Sequence, residues 1–330
     1  MNRRRFVQTM AAGVGCSHPA EWARWIIALK GSAALGPGFS LGRPAADQFV
    51  ERWSWAMGQP VHVMVFARSE QEGLDACAAA LAELRRVESR LTLFDDASDL
   101  CELNRCAGRK TMRVDRDLGA VLAHAAGFRR ATAGAFDTAV EPLMRAWGFH
   151  LPRTTAPTAV ELTEAREAVA AAVIMLDGDV ARLPSGHTQL DFGSIGVGYG
   201  IDHALAVLRA RGIERAFIDV SGDMAAIGAP PGEAGWRVDV TDPERPGGTV
   251  AHTWLRDAAL AAAANTESIV RYGALIVGHV MDPATGWPAR ALKQASVVTR
   301  TATAADALST AMLVSGRQPA GVLRSYEVSR

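Results

Sequence analysis

Apolar and polar positions change period several times along this chain, and each change predicts an element. Residues 61–67 (VHVMVFA) read as a strand. Over 72–90, Leu74, Leu81, Leu84 and Val87 recur at helical spacing and predict a long amphipathic helix. Polar turn residues around Phe94 and Ser98 predict a loop leading into a short helix. Helices follow over 118–131, stopped at Gly134, and over 158–172, where Glu161 and Glu164 lie early, as the helix dipole favours. Short strands are predicted at 173–175, 180–183 and 187–191, then a helix over 199–211. Segments 216–220 and 224–227 read as a hairpin about Ser221-Gly222-Asp223, and 236–240, 249–255, 260–263, 275–281 and 296–299 as further sheet. Two last helices are predicted, over 304–315 and from about residue 319. Antiparallel strands with few crossovers argue for an α+β fold rather than a doubly wound sheet.

Composition narrows this picture. A chain of 330 residues, 49% hydrophobic, is long enough for one large domain or two ordinary ones. Lysine plus arginine equals aspartate plus glutamate at 35 each, so no net field favours nucleic acid. Cys16, Cys77, Cys101 and Cys106 match no zinc spacing; Cys101 and Cys106 could pair, or all could be ordinary small residues. Arg3, Arg4 and Arg5 precede Phe6 and a mildly apolar stretch that ends at Cys16. That pattern resembles a twin-arginine export signal, the alternative being a basic start to a cytosolic chain. Residues 1–46 therefore read as signal and linker, and 47–330 as the folded domain. No run of about 20 apolar residues is present to span a bilayer.

Three stretches could carry chemistry. In LDFGSIGVGYGIDHALA (190–206), Gly193, Gly196 and Gly198 separate an apolar run from a helix start. Such a junction leaves backbone N–H groups unpaired at the positive end of a helix and suits a phosphate, or it is simply a tight turn. Its G-x-x-G-x-G order is not the usual dinucleotide fingerprint. Asp306 and Thr310 are four apart and project from one side of a helix, with Leu308, Ala311, Met312 and Ser315 opposite. A carboxylate with a hydroxyl one turn on is a partial site for a hard divalent ion such as Mg²⁺; Thr303-x-x-Asp306 is equally a capping box. In HVMDPATGWP, the turn chemistry of Asp282-Pro-Ala-Thr285-Gly explains every residue except His279, which is either structural or a base for a hydroxyl nucleophile. His62, His124, His203 and His252 sit in periodic segments and read as structural, and Trp147 and Phe149 as core packing.

Taken together, Met57-Gly58, LTLFDDASDLCELN, GAFDTAVEPLMRAWGF, LDFGSIGVGYGIDHA, DVSGDMAAIG, HVMDPATGWP and ADALSTAML resemble the FAD:protein FMN transferase (ApbE) family from about residue 55 to 322. The resemblance implies an ApbE-like, T-fold-related α+β fold of two interleaved lobes, with a flavin cleft between them. It implies Mg²⁺-dependent transfer of FMN from FAD to a threonine or serine of an acceptor protein, releasing AMP. Carried onto this chain, cofactor contacts would fall on Met57, Phe94, Ala135, Phe136, Asp137, Asp191, Gly193, Gly196 and Val197. Ser194, Asp306 and Thr310 would hold the metal, Asp306 would serve catalysis, and His279 would be the base. The acceptor would be a membrane-associated redox subunit facing the same, periplasmic, compartment. Three departures stand out: Val197 replaces a polar residue, Asp219 and Ser221 stand where N-x-G-G-D is commoner, and Asn265-Thr-Glu-Ser268 replaces T-S-G. FAD pyrophosphatase activity, or flavin binding without turnover, are the alternatives.

Overall fold

The computed structural model describes residues 47–245, 247–266 and 268–329. The arginine triplet, Cys16 and the segment to residue 46 lie outside the described residues.

In the strand Gln59–Ala67 (β2), Val61, Val63 and Val65 face one way and Met64 and Phe66 the other, and all five are buried. Successive side chains alternate between the faces of a sheet, so this strand is covered on both. It lies second in a seven-stranded antiparallel sheet. The order is β1 (Gln48–Ala56), β2, β6 (Arg215–Val220), β7 (Asp223–Ile227), β10 (Ala259–Ala264), β13 (Leu292–Thr299), β14 (Arg324–Ser329). The valine face packs against three helices, α1 (Glu70–Leu91), α6 (Gly196–Ala210) and α7 (Ala302–Ser315), through Leu84, Ile201, Leu205, Leu308 and Met312. The other face is covered by the hairpin β8 (Trp236–Thr241) and β9 (Thr249–Leu255), whose Trp236 ring lies 5.5 Å from Phe217.

A second core joins α2 (Asp99–Cys106), α3 (Arg116–Ala131) and a small sheet of β3 (Met112–Arg113), β5 (Val180–Arg182) and β4 (Met175–Asp177) to Phe136, Leu190, Phe192 and Ile195. A third gathers α4 (Glu141–Ala146), α5 (Ala159–Ala170) and the pair β11 (Ile269–Tyr272) and β12 (Leu275–Gly278) about Leu143, Trp147, Val277 and Met281. The Trp147 indole, buried as anticipated, donates to Gly286 O at 2.8 Å. Helices start where polar caps stand: Ser69, Ser98, Asp115 and Thr158 each accept an amide of the first turn. No helix among the described residues is long and apolar enough to cross a membrane.

The structure corrects several expectations. Residues 187–191 are not a strand: the Asn104 amide brackets Leu190, at 2.9 Å to its O and 2.8 Å from its N, and Asp191 N donates to Thr138 O at 2.7 Å. Those bonds replace a ladder. No helix begins at 319; the chain continues to β14, which completes the sheet against β13. Besides β14, three strands, β1, β3 and β11, were not anticipated. The Thr303–Asp306 capping box does not form, because Thr301 caps α7 and the Thr303 hydroxyl donates to Asp202 at 2.6 Å. Cys77, Cys101 and Cys106 are free thiols.

A Cβ at Gly198 would lie 2.2 Å from Ala302 O, so α6 and α7 meet there main chain to main chain. Gly198→Ala is expected to destabilise by roughly 1–3 kcal/mol through overpacking. Gly127→Ala, in α3 with nothing within 4 Å, should instead stabilise by up to about 1 kcal/mol through helix propensity. Urea denaturation of the two variants checks both signs.

Candidate functional site

Asp306 is 6% exposed and its Oδ2 accepts Gly198 N at 3.0 Å, so the carboxylate sits against the first turn of α6. Burial pushes its pKa up to about 7, opposed only by that amide. A buried carboxyl with one amide and no cationic side chain beside it, one turn from the Thr310 hydroxyl, is a hard-oxygen donor set that fits Mg²⁺. Ser194, half-buried, stands in the turn before α6. The close approach of α6 and α7 therefore brings together the two stretches that sequence could only name separately.

The glycine turn itself differs from expectation. Gly193 N donates to Asp191 Oδ1 at 2.7 Å, Ile195 N and Gly196 N to Phe192 O at 3.1 and 2.7 Å, and Gly198 N to Asp306. These four amides already have partners within the chain and do not form an open cradle. Val197 is buried in the main core, so its side chain faces the sheet. Phe136 is likewise fully buried, its ring edge-on to Phe128 at 6.0 Å, and can offer a ligand only its main chain.

His279 follows β12 directly. Its Nδ1 is buried and has no hydrogen-bond partner. Burial lowers its pKa; the main chain at Ser268 opposes this and the nearby His150 adds to it. The ring is thus kept neutral and able to accept a proton. Its segment is clamped by Asn265, whose Oδ1 accepts Val280 N at 2.7 Å and whose Nδ2 donates to Val280 O and Ala289 O at 3.3 and 2.9 Å. Asn265 replaces strand pairing there, a role that no pattern in the sequence announced. The turn after it forms as expected, with the Thr285 hydroxyl donating to Asp282 at 2.9 Å.

Near His279 stands His150, which belongs to a set of groups only partly foreseen. Glu141 Oε2 is 2.5 Å from His150 Nδ1, and His150 Nε2 is 4.0 Å from Asp191 Oδ2. Burial disfavours charge on His150, but the Glu141 hydrogen bond and the carboxylates of Asp191 and Glu141 outweigh it and raise the pKa. Asp191 is raised by burial. Phe94, 83% exposed, stands edge-on to His150 at 5.6 Å. Asp137 bonds Arg129 at 2.8 Å and caps the short turn Thr138–Val140, next to the half-buried Ala135. Met57, at a positive φ of 55° in the β1–β2 turn, packs against both main cores and beside Gly200. Glu141 and His150 were missed; the available signal was an acid inside the apolar stretch AVEPLM. Of the remaining histidines, His62, His203 and His252 bond Glu51, Glu83 and Asp239.

Asp306 makes stability depend on pH. Between its usual value of 3.8 and about 7, the folded chain holds a proton that the unfolded chain has lost. Stability contributed at this position therefore falls as pH rises through that window. Thermal unfolding in chelator should show the fall, and Asp306→Asn should flatten it. Added Mg²⁺ should raise the wild-type Tm more at about pH 8, where the group is ionised, than at about pH 5.

Known proteins resemble this chain in sequence and in fold. The ApbE family model matches residues 57–327. The chain is 27% identical over 321 residues to an FAD:protein FMN transferase of Treponema pallidum, covering 92% of this chain and 88% of that one. A crystal structure of the Thermotoga maritima ApbE protein superposes with a TM-score of 0.74 at 27% identity, covering 81% of this chain and 87% of that one. Flavinyl transferase ApbE of Pseudomonas stutzeri shares the fold, with a TM-score of 0.72 at 23% identity over 84% of this chain and 86% of that one. With the seven stretches in order and the matching fold, the chain belongs to the ApbE family.

Proposed function

We propose that this protein is a Mg²⁺-dependent FAD:protein FMN transferase that joins FMN to a threonine or serine hydroxyl of an acceptor protein and releases AMP. The observation that carries this reading is the buried Asp306 carboxylate held against the start of α6, with His279 carrying a free, buried nitrogen. The names of the relatives support it. FAD is the substrate, and its flavin end is assigned to Met57, Phe94, Ala135, Asp137 and Asp191.

Asp306, Thr310 and Ser194 would hold the cation, which supplies charge neutralisation at the pyrophosphate. The positive end of α6 adds to it. Because the Gly193 and Gly196 amides already have partners within the chain, the cation side carries more of this work than the turn does. The acceptor oxygen bonds to the FMN-side phosphorus, the P–O bond to AMP breaks, and AMP leaves with the electron pair. His279 takes the hydroxyl proton. The arginines at 3–5 support export to the periplasm or the outer face of the inner membrane, and the family resemblance makes the acceptor a membrane-associated redox subunit in that compartment.

Purified protein incubated with FAD, Mg²⁺ and such an acceptor should give a fluorescent acceptor band and AMP. AMP without a labelled acceptor would make the protein an FAD pyrophosphatase and overturn the transfer reading. Asp306→Ala with Thr310→Ala should abolish both signals. His279→Ala should slow transfer on the order of 10²–10⁴-fold while FAD still binds. Since burial lowers the His279 pKa, the acid limb of the rate profile should lie below the usual imidazole value of 6.5.

A further inference from the structure

We propose a second cation seat, for a borderline transition ion of the Zn²⁺ class, between His150 Nε2 and Asp191 Oδ2, with Glu141 as its outer carboxylate. It is distinct from the hard-oxygen set at Asp306 and Thr310, and it does not depend on the transferase reading, because binding is measured without turnover.

Glu141 is 1% exposed, and both its oxygens are committed: Oε1 accepts Arg145 Nε at 2.6 Å and Oε2 meets His150 Nδ1 at 2.5 Å. In the neutral ring this places the proton on Nδ1 and the lone pair on Nε2. A carboxylate that fixes the remote nitrogen of an imidazole is the arrangement found behind metal-ligating histidines. Nε2 then looks across 4.0 Å to Asp191 Oδ2, too far for a hydrogen bond and somewhat wider than the roughly 3.4 Å between two ligands of a tetrahedral zinc with bonds of about 2.0–2.2 Å, so the carboxylate would close in slightly on binding. Asp191 is set in place from two sides, its Oδ1 by Gly193 N and its own N–H by Thr138 O. Ligand atoms of Glu141, His150 and Asp191 all lie within 4.8 Å of one another.

A separate observation points to the same place. His279 Nδ1 is buried without a partner, and His150 is near enough that charge on one ring disfavours charge on the other. His279 stays outside the group whose ligand atoms lie within 4.8 Å of one another, so it neighbours the seat without ligating and water completes the shell. One imidazole and one carboxylate suit Zn²⁺, whereas Mg²⁺ prefers an all-oxygen shell. Charge balance agrees: with His150 neutral, Arg145 is the cation paired with these carboxylates among the described residues. Zinc bound here would occupy Asp191 and the surroundings of His279, so it would inhibit flavin chemistry rather than serve it.

Calorimetric titration of the full chain with Zn²⁺, without FAD or acceptor, should show about one equivalent bound, not displaced by excess Mg²⁺. His150→Gln and Asp191→Asn should abolish this binding, and Glu141→Gln should weaken it about 10–100-fold. Asp306→Asn should leave it intact. Co²⁺ in place of Zn²⁺ should give a visible absorption band that His150→Gln removes, with unchanged circular dichroism reporting the fold. No binding by the wild-type protein, or equal binding by folded His150→Gln, would overturn the proposal and leave the triad as a cluster of an imidazole between two carboxylates.

Discussion

Helices α6 and α7 cross with no side chain between them at Gly198. Ala302 O occupies the space where a Cβ would stand, and the Gly198 amide turns to the Asp306 carboxylate. The same contact is tied a second time, because Asp202 on α6 accepts Ala302 N, Thr303 N and the Thr303 hydroxyl at 2.8, 2.9 and 2.6 Å. One helix thus caps the other. An acid with no cation beside it is costly inside a protein, and here the closeness of two backbones holds it in place. The seven-stranded sheet behind the helices makes that approach rigid, since Ile201 and Leu308 both belong to its core.

Across the site, position is set by amide side chains rather than by strands. Asn104 brackets Leu190, and Asn265 brackets Val280 and Ala289. Each amide offers both a donor and an acceptor, so it can stand in for one rung of a ladder where no neighbouring strand exists. The two clamps hold the segments carrying Asp191 and His279, which border different cores. The result has two chemical sides: oxygen donors at Asp306 and Thr310, and imidazoles at His279 and His150.

Much of this was legible in the chain. The long helix α1 announced itself through Leu74, Leu81, Leu84 and Val87, and Ser69 capped it; α5 was marked by Thr158 and Glu161, which form a capping box. The Ser221-Gly222 turn appears between β6 and β7, with φ of 50° and 103°. Where local pattern and long-range partner disagreed, the partner prevailed. Residues 187–191 look extended and apolar but bond to Asn104 and Thr138. The end of the chain alternates as RSYEVS, and its strand exists because β13 offers an edge. Thr303 and Asp306 had cap spacing, yet each is drawn to α6 instead.

By itself, then, the sequence determined the α+β class, most helices with their caps, the turn after His279 and the stretches that mark the family, because those depend on contacts within a few residues. Tertiary structure alone decided which way the glycine-turn amides point, that Val197 and Phe136 belong to the core, and that Glu141, His150 and Asp191 meet. Those outcomes depend on residues far apart in the chain brought within hydrogen-bonding distance, and burial, rather than residue type, then sets the charge states of Asp306 and His279.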